Sequence, residues 1–119
     1  MPEVYRLEYL NGAGIYWHAP DDLRKTVLGD PVHQEDPIDH PRPSEDGMGW
    51  SAWSDMIFGF ASLEAMRAWF NGPERLYLAT YGVLLSAYFA RGPIITGKKQ
   101  LAFYRQSATL LWQRPINHF

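Results

Sequence analysis

Histidine and carboxylate side chains concentrate in one proline-rich segment of the chain, where together they could bind a divalent cation. Their spacing matches neither a pair of histidines on one helix nor a calcium-binding loop. Aspartate and proline are also the residues that ordinary solvated turns require. We therefore expect no metal site and interpret the segment as a contact surface for a partner. The cluster comprises His33, Glu35, Asp36, Asp39, His40, Glu45 and Asp46, and with Arg42 it supplies the candidate partner-binding residues Asp36, Asp39, Arg42, Glu45 and Asp46.

Other catalytic patterns are incomplete. The chain has no cysteine, which excludes disulfides, thiolate metal sites and cysteine nucleophiles. Serine and histidine are present, but no Gly-x-Ser-x-Gly elbow occurs. Gly12-Ala13-Gly14 lacks the third glycine and the strand-to-helix setting of a nucleotide-binding loop. The residues therefore favour a non-catalytic protein without a cofactor.

Charge is distributed unevenly along the chain. Residues 1–55 contain 11 acidic and 4 basic side chains, whereas residues 56–119 contain 2 acidic and 7 basic ones. In the simpler interpretation, the opposite charges of the two halves compensate each other within the fold. In the alternative interpretation, the basic half, including Lys98 and Lys99, contacts an anionic partner. Basic residues also alternate with Phe103, Tyr104 and Trp112, as in single-stranded nucleic-acid sites. The pI of about 6.0 makes nucleic acid the less favoured partner, with these aromatic residues in the core instead.

The first half of the chain contains few regular elements. Alternation over Val4 to Leu10 predicts a half-buried strand, with Tyr5 and Leu7 on one face and Arg6 on the other. Asn11-Gly12 predicts a hairpin turn, Ala13 to His18 the return strand, and Pro20 to Leu28 a short helix. Residues 30–55 form a long loop rich in proline and acidic residues, with Trp50 and Trp53 packing at its end.

The second half predicts the remaining elements. Met56 to Ala61 is predicted to form a strand, and Ser62 is predicted to be the N-cap of the helix that follows. Asn71-Gly72-Pro73 is predicted to end this helix, with Gly72 as its left-handed cap. A helix over Pro73 to Tyr81 closes at Gly82, and strands follow at Val83 to Ala90, Gln100 to Tyr104 and Ala108 to Trp112. We expect one α+β domain over residues 1–119: an antiparallel or mixed sheet with two or three short helices. Its predicted core comprises Leu7, Phe60, Leu63, Met66, Trp69, Leu85 and Phe89.

No stretch of the sequence is apolar for long enough to cross a membrane, and the first ten residues lack a signal-peptide core. We therefore expect a cytoplasmic protein. The oligomeric state stays open.

Several short motifs resemble a loose group of small accessory proteins encoded by bacteriophages and prophages. The resemblance extends over most of the chain, and it implies a protein made inside a bacterium that acts on a host factor or defence system. The motifs are Tyr5-Arg6, the run from Asn11 to Tyr16, His40 to Gly47, Phe58 to Glu64, and Trp69-Phe70.

The sequence is also faintly similar to the ADP-ribosyltransferase fold, which implies that Arg6 and Ser62 occupy two positions of an NAD site. No glutamate follows Glu74, so the catalytic Glu signature of that fold is missing, and Gln100 is the nearby substitute. A glutamine cannot stabilise positive charge as a carboxylate does.

Two hypotheses follow. The leading one is a non-catalytic phage protein that binds a host protein or protein complex. The alternative is a small-nucleotide binder or enzyme that uses Arg6, Tyr16, Ser62 and Gln100 around one cleft.

Overall fold

The computed structural model describes residues 3–15 and 56–119. The predicted return strand beyond Ile15, the helix from Pro20 and the loop at residues 30–55 lie outside the described residues. The described strands are β1 (Glu3–Glu8), β2 (Met56–Gly59), β3 (Leu84–Ala90), β4 (Ile94–Thr96), β5 (Leu101–Tyr104) and β6 (Ala108–Pro115). The helices are α1 (Leu63–Trp69) and α2 (Gly72–Thr80), with 3₁₀ turns at Arg105–Ser107 and Ile116–His118. This architecture confirms the predicted α+β class.

The strands form two antiparallel sheets, with the orders β1-β3-β6 and β2-β5-β4. A bridge between Tyr5 and Phe60 joins the sheets: each backbone amide donates to the carbonyl oxygen of the other residue, at 2.9 and 2.6 Å. A Cβ atom at Gly59 would lie 2.6 Å from the Tyr5 carbonyl oxygen. Only glycine therefore lets the two backbones approach this closely.

The predicted turn at Asn11-Gly12 is confirmed. Gly12 has a φ of 86°, in the left-handed region, and its amide donates to the carbonyl oxygen of Tyr9 at 2.8 Å. The chain then reverses, and Gly14 pairs with Glu8. A positive φ is unfavourable for a residue with a Cβ atom, which explains the glycine.

The helix boundaries confirm one predicted cap and correct another. The hydroxyl oxygen of Ser62 accepts from the Ala65 amide at 3.0 Å, so this serine begins α1 as expected. Gly72, however, is the first residue of α2 rather than a left-handed cap of α1. Helix α1 ends at Trp69, and its C-cap residue Phe70 is in extended conformation. Asn71 caps α2 in a reciprocal capping box with Glu74.

Two further boundaries differ from the sequence prediction. Strand β4 was not predicted, since three residues between Pro93 and Gly97 are too few to show a periodicity. Strand β6 continues three residues beyond Trp112, paired with β3 as far as Pro115. Gly82, with a φ of 79°, follows α2 as expected.

The main core lies between the helices and one face of the β1-β3-β6 sheet. Five of the seven predicted core residues are buried, and Leu63 and Phe89 are half-buried. A second cluster covers the opposite face, where Val4 and Tyr88 pack with Leu101 and Phe103 of β5. Because β5 covers that face, β1 is buried on both sides and not half-buried as its alternation predicts.

Neither α-helix in the described residues is long and apolar enough to cross a membrane.

Candidate functional site

A buried carboxylate, Glu8, occupies the face of β1 that β5 covers. Its side chain is 1% exposed. One oxygen, Oε1, accepts from Nε of Arg6 at 3.0 Å, in a buried ion pair, and lies 3.7 Å from Nη2 of Arg105. The other, Oε2, accepts from the hydroxyls of Ser86 at 2.7 Å and Tyr88 at 2.5 Å. These donors compensate a charge that would otherwise be very costly to remove from water.

A second layer of contacts surrounds this carboxylate. The amide nitrogen of Gln113 donates to the Ser86 hydroxyl at 2.8 Å and approaches Glu8 Oε2 at 3.4 Å. Arg105 Nη2 donates to the Gly12 carbonyl oxygen at 2.6 Å, which connects the network to the hairpin turn. The network therefore links all three strands of the β1-β3-β6 sheet to that turn.

The environment changes the pKa values of two members of this network. Burial lowers the pKa of the Arg6 guanidinium, and the charge of Glu8 opposes that change. Burial and the hydrogen bond to Glu8 raise the pKa of Tyr88 to about 12. Tyr88 therefore stays protonated near neutral pH and acts as a donor. Both carboxylate oxygens of Glu8 accept hydrogen bonds from the protein, and Arg6 is one of the donors.

Arg6 also borders a cleft of about 280 Å³. Its Nη1 donates to the Phe58 carbonyl oxygen at 2.9 Å, which holds the guanidinium plane at the cleft wall. A Cβ atom at Gly14 would lie 3.0 Å from Nη2, so this glycine leaves space for the end of the guanidinium. The described residues that line the cleft include Arg6, Ile15, Phe58, Phe60, Trp69 and Gln100.

The structure brings together two of the four residues of the predicted ligand site. Arg6 and Gln100 line the same cleft. Ser62 caps α1 and is not among the described residues lining the cleft. Tyr16 lies outside the described residues.

The predicted partner surface is described only in part. Lys98 and Lys99 are exposed in the turn between β4 and β5, beside Ala65, Ala68 and Trp69 of α1. The loop residues Asp36, Asp39, Arg42, Glu45 and Asp46 lie outside the described residues. Among the described residues, no group of three or more histidines and carboxylates could hold a metal ion.

The aromatic residues of the basic C-terminal region largely pack inward. Phe103 is fully buried and contacts Tyr88, so its ring cannot stack on a nucleic-acid base. Trp112 stacks on Phe119 with ring centroids 5.6 Å apart, and the Arg114 guanidinium lies 5.4 Å from the centroid of the Trp112 ring.

The sequence analysis did not identify Glu8, Ser86, Tyr88 and Gln113 as parts of one site. The one local signal was Ser86, a polar residue within the otherwise apolar run of β3. A buried serine in a central strand needs a hydrogen-bond partner, and Glu8 on the neighbouring strand supplies it.

Comparison with known proteins identifies the family. The model of the family described as bacteriophage T4 Y00F protein matches residues 1–117 of this chain. The chain therefore belongs to this family of phage proteins, which confirms the resemblance to small phage proteins. No curated protein and no solved structure gives a significant match. The comparisons do not show the similarity to ADP-ribosyltransferases.

Proposed function

We propose that this phage protein is a non-catalytic accessory factor that binds a host protein or protein complex in the bacterial cytoplasm, in host takeover or counter-defence. Membership of a phage family supports an action on the host. The hydrogen bonds from Arg6, Ser86 and Tyr88 to Glu8 support a structural role for this buried network rather than a catalytic one.

One observation carries the choice of partner surface. The segment from Arg91 to Phe119 forms β4, β5 and β6, and it contains five lysine and arginine residues but no acidic residue. Two of the five, Lys98 and Lys99, are exposed at the tip of a hairpin in a fixed sheet. Such a surface complements an anionic patch on a partner and accelerates its association.

Exposed apolar side chains also lie on β6, an edge strand of the β1-β3-β6 sheet. Leu110 and Leu111 are 47% and 49% exposed. They lie at a β-bulge, where Ala87 and Tyr88 of β3 face Trp112 and Leu110, so that Leu111 has no counterpart. Two neighbouring exposed leucines on an edge strand support a contact with another protein.

Affinity purification after cross-linking in bacteria tests the proposal. We expect the wild-type protein to retain one specific host protein, and Lys98→Ala with Lys99→Ala to lose it. The control carries Leu76→Glu and Thr80→Glu on exposed positions of α2, which change the net charge by the same amount elsewhere. Recovery of no specific partner, or equal loss in both variants, would contradict the proposal.

A further inference from the structure

The two edges of the β1-β3-β6 sheet differ in what they contact. Strand β1 makes backbone bridges outside the sheet, from Tyr5 to Phe60 and from Glu8 to Gly14. Strand β6 pairs with β3 on one side, and none of the described residues pairs with its other side. The outer side of an edge strand presents amide and carbonyl groups that can pair with another chain. Strand β6 therefore offers an edge of eight residues for the addition of a strand.

We propose that β6 binds an extended acidic segment of the host protein partner, which adds to this three-stranded sheet as a fourth strand. The existence of that partner rests on the proposed function. The inference adds the mode of binding and the chemistry of the bound segment. In strand addition, main-chain hydrogen bonds supply the affinity, and contacts of the alternating side chains supply the specificity.

The centre of β6 selects an apolar centre in the added strand. Leu110 and Leu111 are 47% and 49% exposed, and the preceding Thr109 is exposed as well. Neighbouring residues of a regular strand point to opposite faces, yet both leucines remain about half exposed at the bulge. Apolar and β-branched side chains on a neighbouring strand would cover them, because such cross-strand pairs stabilise a sheet.

The two ends of β6 select acidic residues in the added strand. Arg91 lies beside the start of β6, where its amide donates to the carbonyl oxygen of Ser107 at 2.9 Å, and Arg114 lies near the other end. Both side chains are exposed. Their guanidinium carbons lie 5.7 Å from the ring centroid of Phe89 and 5.4 Å from that of Trp112, respectively. A guanidinium that lies over a ring keeps its planar edge available for a carboxylate.

The same charges argue against a second copy of this chain as the added strand. Antiparallel pairing of two β6 strands about their leucines would bring Arg114 of one copy toward Arg91 of the other. Like charges opposite each other on paired strands are destabilising. The segment from Arg91 to Phe119 contains no acidic residue that could compensate them. An acidic segment of another protein instead compensates the charge at both ends.

Titration of the intact protein with a synthetic peptide tests this inference, with binding followed by two-dimensional amide NMR. The peptide matches the length of β6 and has alternating valine and threonine at its centre and two aspartates at each end. One control peptide carries lysines in place of the aspartates, and another carries a proline at its centre. We expect saturable binding of the acidic peptide, with the largest shifts and slowed amide exchange in β6, and at least tenfold weaker binding of both controls. No binding of the acidic peptide, or equal binding of all three peptides, would overturn the inference.

Two variants and a matched control locate the peptide. Arg91→Glu with Arg114→Glu should weaken binding of the acidic peptide at least tenfold and make the lysine peptide the tighter ligand. Leu111→Glu should also weaken binding of the acidic peptide at least tenfold, while the amide spectrum remains that of the folded protein. Lys98→Glu with Lys99→Glu changes the net charge by the same amount outside β6 and should leave the affinity unchanged. Equal affinity of the wild type and both β6 variants would refute the assignment.

The cross-linking experiment separates this inference from the proposed function. A host protein that the wild type retains should be lost by the variant with Arg91→Glu and Arg114→Glu. Retention of that host protein by this variant would overturn strand addition at β6 and leave the proposed function standing. Recovery of no host protein by the wild type would overturn both.

Discussion

Removal of the Glu8 carboxylate is the most informative perturbation of this fold. In Glu8→Ala, the Arg6 guanidinium stays buried beside an apolar methyl group, and the hydroxyls of Ser86 and Tyr88 lose their acceptor. Breaking a buried ion pair by removing one partner costs about 3–5 kcal/mol. Domains of this size are stable by about 5–15 kcal/mol, so the substitution removes a large share of the free energy of unfolding.

Strand β1 offers a matched control. Glu3 is exposed and accepts from the Tyr5 hydroxyl at 2.8 Å at the surface. Glu3→Ala therefore removes the same side chain from the same strand, and we expect a loss of at most about 1 kcal/mol.

Urea unfolding followed by tryptophan fluorescence measures both losses, with an unchanged denaturant slope as the sign that the same folded state unfolds. A difference of less than about 1 kcal/mol between Glu8→Ala and Glu3→Ala would refute the argument that the network stabilises the sheet. If Glu8→Ala does not fold, Ser86→Ala serves instead. That variant removes one hydrogen bond to a charged group, and we expect it to cost about 1.5–3 kcal/mol.

Three further predictions concern other parts of the structure. The folded-state pKa of Tyr88, about 12, lies above the ordinary tyrosine pKa of 10.0, so its contribution to stability is complete below pH 10 and is lost as the pH rises toward 12. Tyr88→Phe should abolish this component, on the order of 2 kcal/mol, in urea titrations across that range. Asn71→Ala should lower the free energy of unfolding by about 0.5–2 kcal/mol through loss of the α2 cap, and urea unfolding with an unchanged value would contradict the capping box. Gly59→Ala should cost about 1–3 kcal/mol because the new Cβ meets the Tyr5 carbonyl oxygen, whereas Gly72→Ala should be neutral or stabilising; equal melting temperatures would contradict the close approach.

Local signals in the sequence predict much of the described fold. The turn at Asn11-Gly12, the cap at Ser62 and the end of α2 at Gly82 each depend on backbone conformation within a few residues, so the residue types suffice. The apolar run of β3 likewise predicts a central strand, which the sheet confirms. Even so, Asn71-Gly72 is equally compatible with the end of one helix and the start of the next. The capping contact with Glu74 decides between these two possibilities.

The candidate site depends on contacts that no local pattern contains. Arg6 and Gln100 were predicted to share a cleft, and both line the same cleft in the fold. The burial of Glu8, in contrast, arises because β5 covers a face of β1 that alternation alone assigns to solvent. Its partners Ser86, Tyr88 and Gln113 lie 78, 80 and 105 residues away in the sequence. Strand order and register bring these residues within hydrogen-bonding distance of Glu8. The alternation of apolar and polar residues along β1 carries no information about which strand will pair with β1 or which strand will cover its face.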